Sequence, residues 1–429
     1  MQEHPVLAQL TLGYSPMIDR QRSVVATRLT IFPERPDAVP DIGALLAALA
    51  EVWPPAPAED AAPTELSLNL RPLDPANVAA SAGAGPKAAL PPVALNIAGE
   101  AMLDALMSAA PGPHLMIEVP AFMAADARHA AALKALAAAG STLLIKGRPL
   151  AELPRDLLPC FARSIVDAGE DRRSAAATAP GARAIGTVVA GVRSLAAMDA
   201  AFQAGAVATL GWPIEDPPPP PSARKSVPQD VQVVLELISG VDRELPVPRL
   251  EAVLKKDPTL AFRLLRYLNS PAFGLTVEIN SFGHALMMLG YQRLKRWLAL
   301  LLASSAKDSH AKPIMFAAVR RGLMMEELVR SNGDAEMRGE MFICGVFSLL
   351  DRLLRQPFDE LLKSVPVPDR VQQALLDDTG PFQPYLALVR AIEQESLFDI
   401  REGAERLFMT PAEVNRALLT ALAAARQLD

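Results

Sequence analysis

Cysteine is nearly absent: Cys160 and Cys344 are the only two in 429 residues. That count excludes a disulfide framework and a Cys-only zinc site, and both thiols read as small buried hydrophobes. Five scattered histidines exclude His-rich metal chemistry. Positive charge is not in excess. Lys and Arg number 42 against 48 Asp and Glu, a formal net charge of −6, whereas nucleic acid or an anionic membrane demands concentrated positive charge. Apolar runs are short, and LALLLASSA (298–306) falls well below the ~20 residues of a membrane span. The opening MQEHPVLAQL lacks a basic stretch followed by an apolar one and does not read as a signal peptide. No P-loop, GxSxG, HExxH or GxGxxG element stands where its mechanism would need it. These absences point to a soluble, cytoplasmic protein with no nucleic-acid partner, no membrane span and no cofactor.

Hydrophobic residues at 51% and charged residues at 21% are those of a globular chain, and the length suggests two or three domains. Proline is abundant, 39 residues or roughly 9% against a usual ~5%. It is densest in IEDPPPPPSARKSVPQ (214–229), where polyproline II makes a semi-rigid spacer. The chain is therefore divided into 1–213, a linker at 214–228, and 229–429.

The two sides differ in pattern. Before the linker, apolar runs of strand length occur at 6–12, 24–32, 64–70, 92–97, 114–119, 141–146, 162–167, 184–190 and 206–212. Helical segments at 41–53, 98–110, 121–140 and 194–205 alternate with several of them. Such alternation builds parallel βαβ units, and about eight units in ~200 residues is the arithmetic of a (β/α) barrel, with an open doubly wound sheet as the alternative. After the linker the chain reads as all-α. DPTLAFRLLRYLNSP (257–271) and SFGHALMMLG (281–290) are capped helices, YQRLKRWLALLLASSA (291–306) carries an apolar stripe, and Thr410–Glu413 is a capping box. The fold class is α/β plus all-α.

The strings LELISGVDRELPVP (235–248), DPTLAFRLLRYLNSPAFG (257–274), SFGHALMMLGYQRLKRWL (281–298) and FICGVFSLLDRLLRQPFDELLKSVPVP (342–368) resemble the HDOD domain, a helical relative of HD phosphohydrolases. The resemblance sets Ser348 and Leu349 at the metal-binding His-Asp pair, and a leucine cannot ligate a cation. The N-terminal half resembles a degenerate EAL domain, the TIM-like barrel that in active members hydrolyses cyclic di-GMP with two divalent cations. That likeness rests on YSPMIDRQRSVVATRLTIF (14–32), PVALNIAGEAM (92–102), HLMIEVP (114–120), AAGSTLLIKGRP (138–149), TVVAGVRSL (187–195) and VATLGWPIEDP (207–217).

Matched position by position, the signature glutamate is Arg28, while Asn96 and Glu118 are retained. The Asp-Asp pair becomes Lys146-Gly147 and the lysine before Asp167 becomes Ile165. The late glutamate is Ala190, followed by Arg193, and the closing glutamine falls near Ala208. Hard cations need clustered oxygen ligands, and cationic side chains among them repel metal. The resemblance thus implies a bacterial signalling protein without catalysis, acting on partner proteins of a cyclic di-GMP or two-component pathway. A sensor that binds the nucleotide through Arg28, Lys146, Arg148 and Arg193, and an active phosphodiesterase, are the alternatives. Glu118 alone reads as a mouth carboxylate bridged to Lys or Arg.

Arg293, Lys295 and Arg296, with Arg320 and Arg321, make a candidate partner patch. Over 229–429, however, 24 Lys and Arg against 26 Asp and Glu favour a solvated helix face. Met287, Met288, Met324 and Met325 read as core filling, and His284 as a structural histidine.

Overall fold

The computed structural model describes residues 4–35, 37–54, 92–109, 111–147, 153–169, 185–216, 229–254, 290–291, 294–302, 311–364 and 367–425. One compact unit holds the described residues up to 216 together with 387–423; a second holds those from 229 to 386.

In the first unit, eight strands close into a barrel in sequence order. β1 (Leu10–Asp19) and β2 (Val24–Pro33) form an antiparallel hairpin. Its turn is set by the Asp19 carboxylate, which accepts from the Ser23 amide at 2.8 Å, and by Arg22 at φ 60°. From β2 onward the strands run parallel: β3 (Val93–Ile97), β4 (Leu115–Pro120), β5 (Thr142–Lys146), β6 (Phe161–Asp167), β7 (Gly186–Ala190) and β8 (Ala208–Leu210). β8 closes the barrel antiparallel onto β1.

Side chains alternate across a strand, so the barrel interior is layered. Met17, Ala26, Ala94, Met116, Leu144, Ile165, Val188 and Ala208 pack as one apolar cluster. Two positions further along five of these strands stand Arg28, Asn96, Glu118, Lys146 and Ala190, a second layer nearer the carboxyl ends of the parallel strands. This is the end where barrels of this kind place their chemistry.

The covering helices follow local rules. α1 (Ile42–Val52) opens on Asp41, whose carboxylate accepts from the Ala44 amide, and buries Leu45, Ala48, Leu49 and Val52. α2 (Glu100–Ser108) buries Met102, Leu103, Leu106 and Met107. The single helix expected over 121–140 is broken. Asp126 ends α3 (Ala121–Ala125) and accepts from the Arg128 amide at 2.9 Å, starting a 3-10 turn that leads into α4 (Ala130–Ala138). α5 (Leu195–Gln203) is capped by Ser194.

The strand expected at 6–12 is also corrected. Pro5 begins a 3-10 turn over Pro5–Gln9, and β1 starts at Leu10 and runs on through Gly13 and Pro16. Both residue types weaken a strand signal. The segments 64–70, 257–271 and most of 281–290 lie outside the described residues, as do 217–228, Arg148, His284, Met287, Met288 and Arg293.

β8 pairs only with Met17–Asp19, which leaves the earlier half of β1 in need of partners along that edge. Gly211 donates to the Pro16 carbonyl and Trp212 Nε1 to the Tyr14 carbonyl, both at 3.2 Å. Asn415 supplies the rest. Its Oδ1 accepts from the Leu12 amide at 3.1 Å, and its Nδ2 donates to the Leu10 carbonyl at 2.8 Å and the Leu7 carbonyl at 2.9 Å. A side-chain carboxamide here does the work of a neighbouring strand. Asn415 is 1% exposed.

The second unit contains α6 (Gln229–Asp242), α7 (Val247–Leu254), a helical stretch at 294–302, α8 (Ala311–Leu328), α9 (Ala335–Phe347), α10 (Leu350–Leu354), α11 (Phe358–Ser364) and α12 (Asp369–Leu376). The stripe Leu294, Trp297, Leu298, Leu301 and Leu302 is buried as expected, as are Met324 and Met325. α8 and α9 cross closely at Gly345, where a Cβ would lie 2.6 Å from the Arg321 backbone.

After α12 come α13 (Gln383–Glu393), α14 (Leu397–Arg406) and α15 (Pro411–Ala425). α15 opens on the expected capping box, with the Thr410 amide donating to Glu413 at 2.8 Å. The expectation of one helical domain over 229–429 is corrected at this end, because 387–423 packs with the barrel. Periodicity shows that a helix has an apolar face but not which core receives it.

Replacing Asn415 with Ala strands a buried amide and two carbonyls, each worth about 1–3 kcal/mol when left unsatisfied. Urea unfolding should show the barrel destabilised by roughly 3 kcal/mol or more; a loss under about 1 kcal/mol would contradict this account of the β1 edge.

Candidate functional site at the barrel mouth

Five strands and one distant turn converge on the polar layer. Arg28 on β2 reaches Glu118 on β4 with a two-pronged contact: Nε donates to Oε1 and Nη2 to Oε2, each at 2.8 Å. Arg28 is 8% exposed and Glu118 1%. Such a planar fork satisfies both carboxylate oxygens at once. The third nitrogen, Nη1, donates to Glu395 Oε2 at 3.2 Å, and Ser15 Oγ on β1 donates to Glu395 Oε1 at 2.7 Å. Beside this cluster, Lys146 Nζ at the end of β5 donates to Asn96 Oδ1 at 2.9 Å, and Asn96 Nδ2 donates to Thr30 Oγ1 at 3.0 Å.

Burial is the largest influence on the Arg28 guanidinium and disfavours its charge. The attraction of Glu118 and Glu395 and the hydrogen bonds to Glu118 together outweigh it, holding Arg28 charged well above the ordinary arginine range. At Lys146, lost hydration comes first and repulsion from Arg28 second; together they overcome the pull of Glu118 and Glu395 and lower its pKa.

Glu395 comes from the turn between α13 and α14, and the turn explains its position. The Glu395 amide donates to the Ile392 carbonyl at 3.2 Å and the Ser396 amide to the Ala391 carbonyl at 3.1 Å, the paired closure of a Schellman motif. Its central residue adopts a left-handed conformation, usually a glycine, and Glu395 does so at φ 55°. A non-glycine residue is disfavoured there by about 1 kcal/mol. The side chain compensates by aiming its carboxylate into the mouth. Gly13 on β1 gives the turn room: a Cβ there would lie 3.0 Å from Glu395 Cα and 3.1 Å from the Ile392 carbonyl.

The sequence brought Arg28, Asn96, Glu118 and Lys146 to one place, and the structure assembles them there. Glu118 is bridged to an arginine, as expected. Gly147 follows at φ 81° with its amide on the Ile165 carbonyl, and Ala190 is half-buried on β7. Arg193 stands outside the cluster, paired with Glu215 at 3.5 Å. Glu395 was missed because nothing local in the sequence marks a turn 367 residues from Arg28 as part of its site.

The residues present do not fit a pair of divalent cations. Glu118 has both oxygens on Arg28, the Asn96 oxygen is on Lys146, and two cationic groups occupy the layer where metals would sit. Among the described residues no cluster of three His, Cys, Asp or Glu side chains could hold a metal ion.

In the second unit, Ser348 accepts from Arg321 Nη1 at 3.0 Å and donates to the Gly345 carbonyl at 2.7 Å, while Leu349 is buried. The candidate partner patch is corrected. Lys295 is 7% exposed and turned onto Asp242. Arg296 pairs with Glu326 at 2.6 Å and lies 4.2 Å from the Phe342 ring centre. Arg320 and Arg321 are buried as well. Cys344 is buried as expected; Cys160 is half-exposed. Among the described residues no helix is long and apolar enough to cross a membrane.

Residues 226–356 match the HDOD domain family. The chain is 31% identical over 166 residues to the uncharacterized protein YuxH of Bacillus subtilis, 38% of this chain and 40% of that one. It is 26% identical over 178 residues to the cyclic di-GMP phosphodiesterase CdgJ of Vibrio cholerae, 42% of this chain and 41% of that one. The chain thus spans about two fifths of the length of these curated relatives. Similar solved structures include the PaMucR phosphodiesterase in complex with c-di-GMP, with TM-score 0.28, 17% identity, and coverage of 49% of this chain and 92% of that one. A standalone EAL protein from Vibrio cholerae in its c-di-GMP-bound form has TM-score 0.25, 16% identity, and coverage of 48% and 92%.

Arg28→Ala, which leaves Glu118 buried and uncompensated, should destabilise the barrel by about 3–5 kcal/mol, whereas Arg28→Met with Glu118→Leu should come close to wild type. Calorimetric unfolding of the three proteins measures this; equal losses in both variants would contradict the pairing. Lys146 Nζ, followed by NMR of the dimethylated amine, should titrate below the ordinary 10.5. Because Glu395 raises that value, Glu395→Gln should lower it further.

Proposed function

We propose that this chain is a bacterial signal-transduction adaptor of a cyclic di-GMP or two-component pathway. On this reading it works in the cytoplasm by associating with partner proteins and does not hydrolyse the nucleotide. The observation that carries the reading is the occupation of both Glu118 oxygens by the Arg28 fork. Two-metal hydrolysis needs carboxylate oxygens free to hold cations that activate water and stabilise the leaving oxygen. An arginine cannot give up its proton to join such a set. The pathway assignment rests on the likeness of the N-terminal half to EAL domains, on the HDOD match and on the name of the Vibrio cholerae relative.

Lys295 is buried on Asp242, which leaves the partly exposed Arg296 as the member of the candidate patch that a partner would meet. A sensor that binds cyclic di-GMP without hydrolysis is the second reading, favoured by the solvent-accessible Lys146 and opposed by Glu395 standing against Arg28.

The purified full chain, supplied with magnesium or manganese and cyclic di-GMP, should give no turnover above buffer, and cross-linking in the native cell should capture a signalling protein. Turnover abolished by Glu118→Ala would overturn the adaptor reading. A saturable melting shift with cyclic di-GMP and no turnover would favour the sensor.

A further inference from the structure

We propose that the C-terminal segment from α13 to α15 is a strap whose Glu395 occupies the barrel mouth as a built-in anion, closing an oxyanion site formed by the Ser15 hydroxyl and the Arg28 guanidinium. The inference is independent of the adaptor reading, since a closed mouth could belong to a catalyst or a scaffold.

The strap is fastened at separate points. Asn415 on α15 takes up the backbone of Leu7, Leu10 and Leu12. Arg401 on α14 donates to the Glu34 carbonyl at 3.0 Å. Glu395 holds Ser15 and Arg28. The first and last of these points differ in kind. Asn415 replaces backbone pairing that every closed barrel needs, so it fixes the strap to the wall. Glu395 reaches the barrel wall at the Ser15 hydroxyl and one nitrogen of Arg28.

Glu395 holds a left-handed conformation at φ 55°, and from there its carboxylate reaches Ser15 and Arg28. Ser15 and Arg28 present a hydroxyl and an N–H to its two carboxylate oxygens, a donor pair that serves any small oxyanion equally well. The charges agree. Arg28 and Lys146 balance Glu118 and Glu395; without Glu395 the mouth keeps one positive charge, one free Arg28 N–H and the Ser15 hydroxyl. Gly13 completes the device by letting the turn descend onto β1 without a Cβ in its way.

Two variants of the full chain separate charge from fit. Glu395→Ala empties the donor pair. Gly13→Val, on a strand where a β-branched residue is at home, pushes the turn outward and leaves every charge in place. Inorganic phosphate serves as the probe. In wild type it should leave the melting temperature unchanged beyond a matched chloride control; in both variants it should raise it saturably, with the shift weakening as salt rises. Hydrogen exchange over 383–406 should quicken roughly tenfold in the variants while 229–364 stays as in wild type. If Glu395→Ala does not fold, Glu395→Gln keeps the shape and removes the charge, and the same shift is expected. Folded variants that ignore phosphate, or wild type that binds it as tightly as they do, would overturn the proposal. The result can be told apart from a failure of the adaptor reading, which is decided by turnover and not by phosphate.

Discussion

The interaction on which the rest depends is the buried fork between Arg28 and Glu118. A carboxylate 1% exposed on a barrel strand needs a countercharge. A metal pair is one solution and a guanidinium is another, and the two exclude each other at the same oxygens. With Arg28 as the solution, Glu118 becomes part of the core's electrostatics, Arg28 retains one unused nitrogen, and that nitrogen calls for a further acceptor. Glu395 meets the need from the far end of the chain. The strap follows from the presence of Arg28 on β2.

A second buried arginine is bonded in the helical unit. Where the HDOD likeness sets a His-Asp pair, Ser348 holds Arg321 and Leu349 fills the core. A guanidinium therefore contacts each of these two places, Arg28 in the barrel and Arg321 beside Ser348. In both cases the arginine is buried and bonded within its own unit.

How much of this the sequence carried differs by element. The layer Arg28, Asn96, Glu118 and Lys146 was legible through the resemblance to EAL domains, and the two-residue period of each strand is what sets these side chains on one level in the structure. The bridging of Glu118 followed from charge alone. β1 was misplaced because Gly13 and Pro16 interrupt the pattern, and both have uses visible only in three dimensions: close approach of a turn, and a carbonyl paired to Gly211. The helices after 383 were legible as helices, yet their destination was not. Asn415 and Glu395 look like ordinary surface residues until the strand edge and the arginine they serve are beside them. Lys295 was read as facing solvent because helical periodicity does not reveal that Asp242 waits on the neighbouring helix.

The most direct test of the central claim is a crystal of the full chain grown with manganese and examined by anomalous scattering. The account predicts a two-pronged Arg28 on Glu118 and no anomalous peak among Asn96, Glu118 and Lys146. Paired manganese peaks bound to Glu118, with Arg28 swung away, would contradict it.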